Sequence, residues 1–155
     1  MGIRTKGSYK ARLRDMKKKV DEAIFFRLSK VGEELVNYAR SIPPETGYND
    51  QTGNLRSSTG YIIVFNGNVL TSDFTSVSGH KAKPVDGKTI GENHALNLSK
   101  NHSAGYALIF VAGMEYAYAV ESRGRDVLTT TEYHANDKLP KELEKLKEQI
   151  KKMKP

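Results

Sequence analysis

Tyr61-Ile62-Ile63-Val64-Phe65-Asn66-Gly67-Asn68-Val69 is the stretch on which the fold class turns. Its first five residues are β-branched or aromatic, the composition of a strand packed among neighbours. Asn66, Gly67 and Asn68 tolerate positive φ, so the chain can reverse tightly there. The spacing predicts a hairpin: a strand over 55–65 whose end is apolar, then a Thr/Ser-rich return strand over 69–77. The return strand has weaker apolar faces, which suits a sheet edge.

Upstream, Leu13, Met16, Val20, Ile24, Leu28, Val31, Leu35, Tyr38 and Ile42 recur at steps of three or four. That spacing lines one face of a helix. Ser8 is placed to cap its start, and Pro43-Pro44 stops it, because proline lacks the amide donor and biases its predecessor away from helix. A helix of about 30 residues is roughly 45 Å long. This exceeds what one small sheet face needs, so part of it is expected to project, with Phe25-Phe26 widening its apolar surface. Residues 43–53 are rich in Pro, Gly, Asn, Asp and Thr and read as a loop.

Downstream, 78–103 shows no sustained period and holds Gly79, Pro84, Gly87, Gly91 and three of the four histidines. It is expected to be a long flexible loop, ordered at most over 95–98. Residues 105–112 read as a buried strand, 114–122 as a short helix closed by Gly124, and 126–131 as an extended segment. In the last helix Leu139, Leu143, Leu146, Ile150 and Met153 form a stripe flanked by Lys and Glu. Pro140 fits a start near Asp137, or a start near Thr131 with a kink; the earlier start extends the pattern better. The sum is one α+β domain over 1–155: a small, largely antiparallel sheet packed by a long N-terminal helix, a short internal helix and a C-terminal helix.

A chain of 155 residues can bury a single core. No apolar run approaches the roughly twenty residues of a membrane helix, and cysteine is absent. No membrane partner is expected, and residues 1–9 lack the apolar core of a secretory signal, which fits a cytoplasmic origin. The formal net charge is +7, and all of it sits at one end. Arg4, Lys6, Lys10, Arg12, Arg14, Lys17, Lys18 and Lys19 face only Asp15, while the remainder balances. Such an end either solubilises a helix tip or meets an acidic partner such as DNA phosphate.

Catalytic chemistry finds little to use. His80, His94 and His102, with Glu92, match no compact metal-ligand spacing. There is no phosphate-binding Gly-Lys-Ser/Thr loop, no Gly-x-Ser-x-Gly elbow and no His-Glu-x-x-His helix. Glu33-Glu34 and Glu142/Glu144 lie among lysines, where ion pairing accounts for them. No catalytic residue, metal or cofactor is expected.

Two other segments stand out: Thr52-Gly53-Asn54-Leu55-Arg56-Ser57-Ser58, and Gly113-Met114-Glu115-Tyr116-Ala117-Tyr118-Ala119-Val120-Glu121-Ser122-Arg123-Gly124. In the first, Gly53 and Asn54 permit a tight turn, Leu55 anchors inward, and Arg56, Ser57 and Ser58 supply donors. In the second, Ala117, Val120 and Glu121 fall on neighbouring parts of a helical face, and Tyr116 can pack while hydrogen-bonding.

In order and spacing, the chain resembles the minor tail, or tail-completion, proteins of long-tailed bacteriophages. The resemblance rests on Thr52, Gly53, Leu55, Arg56 and Ser58, and on Tyr116, Ala117, Val120, Glu121 and Gly124. It implies a non-enzymatic virion component that forms a ring-like homo-oligomer at the head-tail junction. Other tail or head-connector proteins would be its partners; its place would be the virion tail, and the host cytoplasm during assembly. An ion pair between Arg56 and Glu121 is expected to join the segments. The chain departs from the family pattern by its 78–103 insertion and by Ser122-Arg123 before the glycine. The competing expectation is a DNA-binding or DNA-packaging accessory protein that uses the basic N-terminal helix.

Overall fold

The computed structural model describes residues 6–82 and 85–153. In chain order the elements are α1 (Lys6–Ser41), α2 (Asn54–Ser57), β1 (Thr59–Phe65), β2 (Asn68–Asp73), α3 (Gly87–Ser99), β3 (Tyr106–Ala112), α4 (Ala117–Glu121) and α5 (Thr129–Lys152). The fold is α+β, as expected. Its sheet has three strands in the order β2-β1-β3, antiparallel throughout. The hairpin forms where the sequence places it: Asn66 at φ 48° and Gly67 at φ 79° make a two-residue turn with both residues left-handed.

β1 is the central strand and is buried along nearly its whole length. Its alternate residues feed two cores. On one face Tyr61 and Ile63 pack with Val36 and Leu28 of α1 and with Leu108 and Phe110 of β3. On the other, Ile62 and Val64 pack with Phe74, Ile109, Val111 and Ala95 of α3. α1 thus covers one face and α3 the other, while α5 lies along α1. Val31, Leu35 and Ala39 of α1 are buried, whereas residues 7–19 are exposed apart from half-buried Met16. The expected projecting portion of α1 is its N-terminal part.

Five expectations need correction. The 78–103 segment is not a structureless loop, because Gly87–Ser99 is a helix. Its buried face is Gly87, Gly91, Ala95 and Ser99, small residues at a step of four. A Cβ on Gly87 would lie 2.2 Å from Asn54 O, and one on Gly91 2.3 Å from Ser58 O, so only a bare helix backbone can approach this closely. Asp86 starts the helix by accepting from Lys88 N (3.2 Å) and from the Thr89 hydroxyl (2.6 Å).

Strand β1 begins at Thr59 rather than at 55, since Asn54–Ser57 makes one helical turn closed by backbone bonds from Ser57 to Gly53 and from Ser58 to Asn54. β2 ends at Asp73 rather than 77. Ser8 lies inside α1 rather than at its start. Residues 126–128 lead directly into α5, whose start at Thr129 replaces the extended segment expected over 126–131. Pro140 therefore sits inside α5, in keeping with the earlier start.

Candidate functional site

The 52–58 and 113–124 segments converge. Leu55 of α2, 2% exposed, packs with Tyr48, Met114, Ala117 and Val127, and Val120 borders the same cluster. Around Leu55 the backbone is tied by short-range bonds. Gly53 adopts φ 75°, and a Cβ there would lie 2.2 Å from Val77 O. The Ser57 hydroxyl donates to Gly53 O (2.6 Å) and accepts from Val77 N (2.8 Å). The hydroxyls of Ser58 and Thr59 both donate to Leu55 O. Thr52 Oγ1 accepts from Asn54 N at 3.3 Å, and the Asp50 carboxylate accepts from Arg56 N at 2.7 Å. Small hydroxyl residues are needed here because a buried corner leaves carbonyls that no ladder can satisfy.

The second segment supplies the other side. Ala117 is buried, while Tyr116, just before α4, is 42% exposed and Tyr118 83% exposed, so the small residue turns inward and the phenols outward. Gly124 follows at φ 78° and lets the chain reverse toward α5. An open cleft of about 220 Å³ runs between the segments, lined by Tyr48, Asp50, Thr52, Leu55, Tyr116 and Val120. Burial pushes the Tyr48 phenol up to about 12 against the opposing influence of Arg56.

Arg56 and Glu121 do not form the expected ion pair among the described residues. The Arg56 guanidinium lies over the Tyr48 ring, 5.3 Å from its centroid. Glu121 instead caps α5: its carboxylate accepts from the backbone N–H groups of Leu128 (3.1 Å) and Thr129 (2.7 Å) and from the Thr129 hydroxyl. Burial would raise its pKa, but those donors prevail and hold it below the ordinary carboxylate value.

Arg40 was not singled out from sequence, yet it organises this corner. From the last turn of α1 it donates to Arg56 O (3.3 Å), Thr59 O (3.0 Å) and Thr75 O (3.1 Å). The available signal was its position, since a cation ending a helix is suited to carbonyl partners.

The basic end is elsewhere. Lys10, Arg12, Arg14, Lys17, Lys18 and Lys19 are exposed on α1, with Lys19 paired to Asp15 at 2.9 Å and Lys18 to Glu22 at 3.8 Å. Arg4 and the side chain of Lys6 lie outside the described residues. His80, His94 and His102 are exposed, while His134 stacks on Tyr38 and faces Glu34 at 3.1 Å. Among the described residues no group of three or more His, Cys, Asp or Glu side chains is arranged to hold a metal ion. No protein-family model, curated protein or solved structure matches the chain.

Proposed function

We propose that the chain is a non-enzymatic tail-completion component of a long-tailed phage or prophage, which assembles as a ring at the head-tail junction. The observation supporting this reading is the meeting of the 52–58 and 113–124 segments around Leu55, Ala117 and Val120. Chance matches to two short patterns sixty residues apart carry no requirement to be neighbours in space; parts of one structural motif do. The exposed phenols of Tyr116 and Tyr118 border this corner and provide amphipathic surface of the kind that subunit contacts use. In a ring each such contact is repeated, so modest contacts combine into a firm assembly. Neighbouring tail or head-connector proteins are the partners in this reading, and the virion tail is its location.

A second reading is favoured by the exposed cations of Lys10, Arg12, Arg14, Lys17 and Lys18 on α1: an accessory protein that grips DNA phosphate. Light scattering across protein concentration, at low and high salt, with and without duplex DNA, separates the two. Ring-sized species that ignore DNA support the tail-completion reading. A chain that never assembles, but forms DNA complexes whose affinity falls steeply with salt, overturns it in favour of the second.

A further inference from the structure

The sheet has two free edges, and they differ. β2 is polar at Asn68, Thr71, Ser72 and Asp73, and its register against β1 shifts between Ile63 and Val64. Polar side chains and bulges are what protect an edge from further pairing. β3 has neither. Its sequence Tyr-Ala-Leu-Ile-Phe-Val-Ala carries no charge and no proline, and its register against β1 is unbroken.

The β1–β3 ladder is closed at its ends by Asn66 N–H to Gly105 O (3.0 Å) and Gly113 N–H to Ser58 O (3.1 Å). Along an antiparallel ladder, residues that bond the partner alternate with residues that do not. The closing bonds therefore commit Ala107, Ile109 and Val111 to β1. They leave the N–H and C=O groups of Tyr106, Leu108, Phe110 and Ala112 pointing away from it. Among the described residues no backbone bond to these outward groups is present.

The side chains of Tyr106, Leu108 and Phe110 lie on the α1 face, in an unfilled groove of about 560 Å³. Its far wall is α5, where Leu139 and Leu143 remain 37% and 43% exposed. Glu132 lines the groove, and where it continues past Tyr106 between α1 and α5 it is also lined by Arg27 and Glu142. Unpaired backbone and unfilled apolar space thus coincide along one strand.

We propose that this edge docks β3 of a second copy of the chain. The two strands run antiparallel about a two-fold axis at Ile109, with Leu108 of one copy beside Phe110 of the other and Tyr106 beside Ala112. Three sheet strands in each copy then continue into one sheet, and the apolar side chains close over the groove. The outward groups of Tyr106, Leu108, Phe110 and Ala112 are symmetric about Ile109, so a second β3 offers the donors and acceptors that match them. A strand without ionised groups meets its own copy without repulsion, whereas the exposed Tyr9 and Leu13 on α1 are surrounded by cations that repel another copy of that face. The guarded β2 edge leaves β3 against β3 as the contact that continues the sheet, and such a contact is isologous.

Sedimentation velocity and backbone amide exchange on the intact chain test this without mutation. The expected result is a species of twice the chain mass. In it the amides of Tyr106, Leu108, Phe110 and Ala112 are protected, and lose that protection on dilution, while those of Ala107, Ile109 and Val111 stay protected at every concentration. Leu108→Glu should raise the dimer Kd at least tenfold, and Leu70→Glu on the β2 edge should leave it unchanged. Ala112→Pro, which removes one outward N–H, gives a second decision should Leu108→Glu fail to fold. A chain monomeric at every concentration overturns the inference, as does a dimer whose four outward amides exchange freely. Ring-sized species lacking that protection would overturn this contact alone and leave the assembly reading standing; a β3-protected dimer that never grows into a ring would do the reverse.

Discussion

Glu121 shows how a residue can belong to a recognisable pattern while serving a partner that the pattern does not reveal. Its charge complements Arg56 on paper, but the start of α5 offers two amide donors and a hydroxyl within reach. A helix N-terminus leaves amides unsatisfied and carries partial positive charge, so a carboxylate there is doubly favoured. Glu121→Ala is expected to destabilise the fold by about 1 kcal/mol, the usual worth of a cap, which lowers Tm by about 3 °C. Arg56→Gln, which removes the cation over the Tyr48 ring, should act independently. In a double-mutant cycle read by thermal melts the two effects should add; a coupling of about 0.5 kcal/mol or more would restore the ion pair.

At the scale of elements, the sequence was readable wherever hydropathy carried the period. α1, β1 and β3 announce themselves through large apolar residues, and the β1–β2 turn through Asn66 and Gly67. α3 does not, because the face it buries is Gly87, Gly91, Ala95 and Ser99, and small residues contribute close approach rather than hydropathy. α2 is a single turn, too short for any periodicity, and Ser57, Ser58 and Thr59 at its end look like strand residues until their hydroxyls are seen bonding nearby carbonyls. The start of α5 misleads for a related reason: Val127 and three threonines favour extension, but Glu121 and Asp126 hold the first turn helical, the latter accepting from Thr130 N at 3.1 Å. Leu55, Ala117 and Val120, on which the 52–58 and 113–124 segments meet, stood out in sequence, while Tyr48, which joins their cluster, carried no pattern, and Arg40, which braces the corner, offered only its place at the end of α1. The α3 account makes a prediction of its own. In Gly91→Ala the new methyl meets the Ser58 backbone, which cannot swing aside as a side chain would. The variant should lose about 2–3 kcal/mol, as overpacked sites do, and show a lower urea midpoint together with faster amide exchange over 90–99. An unchanged midpoint would mean that α3 stands farther from β1 than the close approach requires.

Across the whole molecule, polar contacts hold α5 on α1, leaving part of its apolar stripe facing the open groove. Glu142 of α5 is 2% exposed and takes Arg27 at 2.9 Å, Lys145 at 2.7 Å and Lys30 at 3.6 Å, while Glu34 of α1 receives Lys138 at 2.7 Å. The hydrogen bond from Lys145 leads in drawing the Glu142 carboxyl down; burial opposes it, Arg27 assists, and the value falls from 4.5 to about 2. A folded-state pKa below the unfolded one means that this carboxylate contributes its full stability above pH 4.5. The contribution is lost as pH falls from there through about 2. Glu142→Gln leaves the half-buried Arg27 opposite a neutral amide, and breaking a pair whose carboxylate is buried costs about 3–5 kcal/mol. The lower end applies, because Lys30 and Lys145 are each about half exposed and can turn to water. The variant should therefore be about 3 kcal/mol less stable than wild type at pH 7, and the gap should close between pH 4.5 and 2 as the wild-type carboxylate takes up its proton. Urea unfolding at stepped pH measures both curves. Parallel curves through that window would show that α5 is seated by its apolar contacts instead, and would make the α5 wall of the β3 groove independent of charge.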